Sequence, residues 1–313
     1  MKRFIFKILI LLFFLLLPLF IINELYVHTN YWKTENGINR FTDVPCNIEL
    51  GNLGSSHGVF GFKYNSTPSI NAWNFALNAQ PYFYDFHILK KYINHFKKNG
   101  IVLILVSYIN ITCRMDYSNI RSRYYRLLPL KDLDSWSLKE YICYYKFPIL
   151  STKNIIQKII HDLPNGGIEQ CYDKTAFLSE ENLLGYCKKR YADWTNTKYD
   201  NGQSGYNQNL LEISSIIDLC YDKELTPVLI TLPVTNILNK LYESNSNFFL
   251  TFEKFTKDLI LKYPDLLYLD YSRDKNFSNN HKLFLDGDHL NEIGAQKFTR
   301  TVVEELQKRG LLK

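Results

Sequence analysis

Three kinds of apolar pattern follow one another along the 313 residues of this chain. The first is an unbroken apolar run at residues 8–22, ILILLFFLLLPLFII. An untilted membrane span takes about 20 residues. Phe4, Ile5 and Phe6 lengthen the run, because Lys7 can snorkel to the interface. The second kind is a series of short apolar segments bounded by turn residues: Asn47–Leu53 ending at Gly54, Asn71–Leu77, Ile101–Val106, Pro227–Leu232 and Leu266–Leu269. These predict strands. The segment IVLILV, apolar at every position, predicts a strand covered on both faces of a parallel sheet. The third kind recurs at three and four. Phe86, Leu89, Ile93 and Phe96 predict a helix over Tyr84–Lys98 that stops at Asn99-Gly100. Leu210–Lys223 and Phe248–Lys262 predict two more helices. Asn291 is expected to cap a last helix whose apolar face is Ile293, Phe298, Val302 and Leu306.

Strands that alternate with helices imply an α/β protein: a mostly parallel sheet between two helical layers, a three-layer α/β/α sandwich. Residues 112–200 interrupt the rhythm. They are rich in Tyr, Arg and Lys, with helical pieces at Leu138–Tyr145 and Lys153–His161, and read as a helical insertion, either a lid over the site or an ordinary helical cap with amphipathic tyrosines. The expected organisation is an N-terminal transmembrane anchor over 1–24, a polar stem over 25–46, and one α/β domain over 47–313 with that insertion at about 112–200.

Lys2, Arg3 and Lys7 precede the apolar run, which predicts a cytoplasmic N-terminus and a single-pass protein whose main domain is extracytoplasmic. The residues after the run, Asn23-Glu24-Leu25-Tyr26, offer no small-x-small cleavage site, so the run reads as an uncleaved anchor rather than a signal peptide. Net charge is +6, and the three basic residues at the N-terminus leave the rest at +3, too little to suggest nucleic acid as a partner. The six cysteines (Cys46, Cys113, Cys143, Cys171, Cys187 and Cys220) are compatible with disulfides outside the cytoplasm. They form no CxxC pair and no zinc-site spacing, so no metal is expected. No phosphate-binding or dinucleotide-binding glycine motif is present, and no cofactor is expected.

Two short strings carry the candidate chemistry. GNLGSSHG, Gly51–Gly58, follows the first predicted strand, and FLDGDHLN, Phe284–Asn291, precedes the last predicted helix. In parallel sheets ligands gather at the carboxyl ends of the strands, so both strings belong on one edge. Ser56 is the candidate nucleophile, with Ser55 its neighbour and rival. Gly54 and Gly58 permit a tight turn there whose backbone N–H groups, Ser56 among them, can hold an oxyanion. His289 is the candidate base. Asp286, three residues earlier, is the candidate orienting carboxylate, with Asp288 the alternative. His57 follows Ser56 directly; adjacent side chains on a turn diverge, so it is expected to line the site. Asn291 is expected to cap and not to react.

A glycine-x-serine after the first strand, followed far downstream by D-x-x-H ahead of the last helix, resembles the SGNH/GDSL hydrolase superfamily. The likeness is strongest to its membrane-anchored extracytoplasmic members, such as the D-alanylation protein of teichoic-acid systems and alginate acetylation proteins. It covers roughly residues 47–110 and 205–308. The resemblance implies an SGNH-type, flavodoxin-like α/β/α fold with Ser56, His289 and Asp286 as the triad. It implies a serine esterase or O-acyltransferase acting on an acylated glycan or surface polymer, with a membrane-bound acyl donor protein as a possible partner. The alternative is a non-catalytic subunit of a polymer-modification complex. The chain departs from the family pattern in three places. It reads G-S-S where the family has G-D-S. NFALNAQ (Asn74–Gln80) has no glycine for the oxyanion hole, leaving the N–H of Asn78 or Ala79. The family's asparagine has only Asn110 as its counterpart.

Overall fold

The computed structural model describes residues 1–108, 110–111, 117–165, 175–196, 203–244 and 246–313. In chain order the first elements are α1 (Lys2–Val27), α2 (Asn30–Thr34), β1 (Ile48–Asn52), α3 (Ser56–Gly61), β2 (Ala72–Asn74), α4 (Tyr82–Tyr92), β3 (Phe96–Leu105), α5 (Arg121–Tyr124), α6 (Leu138–Tyr141) and α7 (Ile155–Asn165). Then come α8 (Glu180–Asn196), α9 (Gln203–Asp222), β4 (Thr226–Thr231), α10 (Asn236–Glu243), α11 (Ser246–Lys262), β5 (Leu267–Asp270), α12 (Lys275–Ser278) and α13 (Glu292–Lys308). The chain forms two compact units. One joins Met1–Asp43 to Tyr117–Tyr172, and the other joins Val44–Asp116 to Asp173–Lys313. The stretch 112–200, expected as one insertion, is thus divided between them.

In the first unit, α1 is 26 residues long and, by length and composition, sufficient to cross a membrane. At 1.5 Å per residue it spans about 39 Å, against about 30 Å of hydrocarbon. The helix runs beyond the apolar stretch, and its last turns pack against protein. Asn23 is buried and donates from Nδ2 to the Lys146 carbonyl at 3.1 Å. Tyr26 is buried with Ile149 and Ile159. Residues 25–43, expected as part of a polar stem, are folded: Thr29 Oγ1 caps α2 through the Trp32 N–H (3.2 Å), and Ile38 and Phe41 are buried. Arg126 lies 3.9 Å from the centre of the Trp32 ring and donates to the Trp32 carbonyl at 2.7 Å.

The second unit is built on a five-stranded sheet of order β2-β1-β3-β4-β5, parallel throughout. This is the doubly wound order whose switch point lies between β1 and β3. Ile101–Leu105 of β3 is buried to within 2 % on both faces, as its unbroken apolar character predicts. On one face Leu50, Ile101, Leu103, Val228 and Ile230 pack against Phe298, Val302 and Leu306 of α13. On the other, α9 lies beside β4 and α4 with Ile213, Ile216 and Ile217 fully buried. Helices thus cover both faces, giving an α/β/α sandwich.

Three local expectations are corrected. The helix expected to run to Lys98 ends at Tyr92, and Asn99-Gly100 is not its stop. Phe96 instead stacks on Phe75 (5.8 Å) and opens β3. Asn99, at φ +60°, sits in a strand irregularity and donates its N–H to the Glu224 carbonyl at 2.9 Å. A left-handed asparagine serves a bulge as well as a helix end. The second strand is only Ala72–Asn74, although Phe75 still donates to the Asn52 carbonyl (2.9 Å). Ile293 is 51 % exposed, because it lies five residues before Phe298, about 140° around the helix; Ala295 takes its place in the core. Cys46, Cys143, Cys187 and Cys220 are free thiols, while Cys113 and Cys171 lie outside the described residues.

Candidate active site

The turn after β1 is held at both backbone groups of Gly54. Its N–H donates to Asp85 Oδ1 at 2.8 Å and its carbonyl accepts from the Leu77 N–H at 3.2 Å. Gly54 has φ +122°, a conformation that favours glycine, and an added Cβ would meet Leu105 at 2.9 Å. At Gly58 a Cβ would lie 2.7 Å from that of Ala76, so only glycine lets α3 lie this close to the chain after β2. Asp85 is buried, and burial pushes its carboxyl up to about 7 although Gln80 and the Gly54 N–H oppose the rise.

Ser55 takes the position ahead of α3, and Ser56 is the first residue of the helix. The Ser55 hydroxyl caps nothing in α3; it accepts from Asn110 Nδ2 at 3.0 Å. Asn110 follows β3 and Ser56 follows β1, so the two flank the switch point of the sheet. Asn78 and Ala79 form an exposed turn, with Ala79 at φ +52° and the Gln80 N–H bonded to the Leu77 carbonyl (3.0 Å).

The second string folds into a tight loop. Asp286 Oδ1 accepts the N–H groups of Asp288 (3.0 Å) and His289 (2.9 Å), a local side-chain turn that brings an Asp and a His three residues apart into contact. His289 Nδ1 lies 2.9 and 3.1 Å from the two Asp286 oxygens, and Nε2 lies 2.8 Å from Ser56 Oγ. The network assigns the tautomer: Nδ1–H donates to Asp286, and Nε2 accepts from the serine hydroxyl. The separation of Nδ1 from Asp288 Oδ1 is 3.5 Å, so Asp286 makes the closer contact. The structure therefore brings Ser56, His289 and Asp286 into one hydrogen-bonded chain. Asn291 caps α13 through the Gly294 N–H at 2.9 Å.

Around this chain lies a network that the two strings do not announce. Asp288 is buried and receives Arg190 through Nε (3.0 Å) and Nη2 (2.8 Å), with His57 Nε2 3.4 Å from the same oxygen. Burial raises the Asp288 carboxyl, but His57, His289 and Arg190 together bring it well below its usual value. Burial keeps the His57 pKa low. For His289 burial also acts downward, but its bond to Asp286 and the charges of Asp288 and Asp286 outweigh it, and its pKa is raised. Tyr186 donates to Asp286 Oδ2 at 3.1 Å, and Phe60 meets the His289 ring edge-on at 5.2 Å. Cys187 packs close to Gly287, and burial pushes its thiol up to about 11, which leaves it a weak nucleophile.

Tyr186, Cys187 and Arg190 all come from α8, inside the stretch expected to be a helical insertion. Tyr186 and Arg190 are four apart and share a helix face. Their spacing alone does not set that face beside Asp286 and Asp288; the fold does. Among the described residues, His57, Asp288 and His289 bring donor atoms within 4.8 Å of one another. The Arg190 guanidinium on the same Asp288 oxygen is already the cation there, and a metal would have to displace it.

These features define a parallel α/β protein with a serine, a histidine and a carboxylate joined at the carboxyl edge of its sheet. No family model matches the chain, and no curated protein matches it. Sixteen solved chains do. One, a crystal structure described as a "putative acylhydrolase" from Bacteroides fragilis NCTC 9343, is 11 % identical. It aligns over 88 % of this chain and 95 % of its own, with a TM-score of 0.43.

Proposed function

We propose that this protein is a membrane-anchored serine esterase or O-acyltransferase of the SGNH/GDSL type, acting on an acylated glycan or surface polymer outside the cytoplasm. The observation that carries this reading is the hydrogen-bonded chain from Ser56 Oγ through His289 to Asp286. In this reading His289 Nε2 takes the hydroxyl proton as Ser56 Oγ attacks the acyl carbon, and Asp286 stabilises the imidazolium that forms. The protonated Nε2 then passes its proton to the departing alcohol oxygen. Water or a sugar hydroxyl, deprotonated by the same nitrogen, attacks the acyl carbon; as the bond to Ser56 Oγ breaks, Nε2 returns the proton to that oxygen and the hydroxyl is restored. In this reading the Ser56 N–H at the head of α3 and the Asn110 amide, whose Nδ2 also donates to Ser55 Oγ, serve as oxyanion donors. Hydrolysis and transfer differ only in which nucleophile reaches the acyl-enzyme, hence in how well water is excluded.

The apolar run and its basic flank support an anchor with the N-terminus in the cytoplasm. The test is labelling of the detergent-solubilised full chain with a fluorophosphonate probe. Labelling abolished by Ser56→Ala and retained by Ser55→Ala is the expected outcome. A folded wild-type chain that does not label would instead favour a non-catalytic subunit that binds the polymer.

A further inference from the structure

The first unit contains a cavity of about 230 Å³ lined by Arg123, Arg126, Lys153 and Lys158, with Glu35 the acidic residue among its walls. Its side chains therefore carry a net charge of +3. Lysines on a surface are ordinary, but Arg123 is not of that kind. It is only 5 % exposed, and its Nε and Nη2 are buried without a hydrogen-bond partner. A buried guanidinium with unmet donors costs stability unless something supplies oxygen atoms. Arg126 is fixed by its stack on Trp32 and its bond to the Trp32 carbonyl, so its charge is oriented in advance.

We propose that this cavity is a binding site for a phosphate ester, separate from the serine site. A phosphate monoester brings up to two charges and three acceptor oxygens, a better match to this surplus than a single carboxylate. The arginine fork suits phosphate geometry, and the lysines add point charges. The volume is far above the roughly 15 Å³ that admits one water, so it takes a phosphate with the group esterified to it. Trp32 and Glu35, on its wall, follow the end of α1 at Val27 by a few residues. Two sources share this chemistry at a membrane surface: the monoester headgroup of a phosphatidic acid and a water-soluble polyol phosphate.

The experiment titrates the full chain in maltoside micelles with glycerol 3-phosphate and with short-chain phosphatidic acid, both phosphate monoesters, read by calorimetry. Wild type is expected to bind at least one of them. Lys153→Gln/Lys158→Gln, on the accessible wall, is expected to weaken binding tenfold or more, and Arg123→Gln at least as much. If Arg123→Gln does not fold, the lysine pair decides. Tighter binding of the lipid assigns the headgroup, and tighter binding of glycerol 3-phosphate assigns the soluble ester. Absence of binding of both, affinity unchanged in the lysine pair, or equal affinity for acetate overturns the proposal.

Discussion

The His57 ring lies against that of His289, with centroids 5.0 Å apart and planes inclined by 24°. Only one of the two imidazoles reaches the serine. His57 follows Ser56 in sequence, yet its Nε2 is turned to Asp288, while His289, 233 residues away, holds the 2.8 Å contact to Ser56 Oγ. His57→Phe preserves a stacked ring and is expected to keep p-nitrophenyl acetate turnover within about tenfold of wild type. His289→Phe is expected to lose about 10³-fold or more, the scale of losing a triad base. Equal losses in the two variants would sink the assignment of His289 as base.

Asp286→Asn tests the orienting role. The amide keeps an acceptor for the Asp288 and His289 N–H groups but also presents a donor to His289 Nδ1. That favours the tautomer whose Nε2–H points at Ser56. A fall in kcat of about 10³–10⁴ is expected, with the fold retained by circular dichroism. Asp288→Asn should leave kcat closer to wild type, since Asp288 is the more distant carboxylate.

The raised His289 pKa sets a direction for the pH profile. The ring keeps its proton to a higher pH than a free imidazole, and only the neutral ring can accept the serine proton. The rate of acyl-enzyme formation should therefore rise with pH through a midpoint above 6.5 and then level off. A midpoint below 6.5, measured by stopped-flow burst kinetics, would contradict this electrostatic arrangement.

Asp85 predicts a pH-dependent stability of the opposite kind to that of a salt-bridged acid. Its carboxyl is raised from 3.8 to about 7 in the fold, so between those values the folded state holds a proton that the unfolded chain releases. Stability contributed there is present at low pH and lost as pH rises toward 7, by about 4 kcal/mol in all. Asp85→Asn keeps an acceptor for the Gly54 N–H without the ionisation. Its melting temperature relative to wild type should be higher at pH 8 than at pH 5. A difference that does not vary with pH would remove the inference.

Arg190→Met leaves Asp288 buried without its guanidinium. Breaking a buried pair from one side costs about 3–5 kcal/mol. Adding Asp288→Leu should recover a large part of that loss in chemical denaturation, because the unpaired charge goes with it. A double variant no more stable than Arg190→Met would show that the pair contributes through its shape rather than its charge.

The strands and the hydrogen-bonded chain were legible in the sequence for the same reason: each is specified locally. IVLILV has no polar position to place at a surface, and the Asp286-to-His289 turn closes through its own side chain and backbone. The pairing of Ser56 with His289 followed from strand direction, which puts both strings at one edge. What was hidden depends on distant contacts. Asn99 reads as a helix stop until Glu224 supplies a carbonyl from another element. α10 gave no clear signal, although Leu238 and Tyr242 are buried from it. Arg190 reads as a solvated helix cation until the fold sets it beside Asp288, and Asp85 reads as an exposed acid until Gly54 and Gln80 meet it.

Asn23 and Tyr26 complete their contacts only with residues made much later, since Lys146 lies 123 positions downstream of Asn23. When α1 leaves the ribosome, the segment that will cover its last turns has not been synthesised. With α1 as the proposed anchor, the helix would enter lipid while that end is still bare, and the unit would close around it afterwards. In that proposed reading, insertion of α1 and closure of its unit are ordered in time by where the two halves of the unit lie along the message.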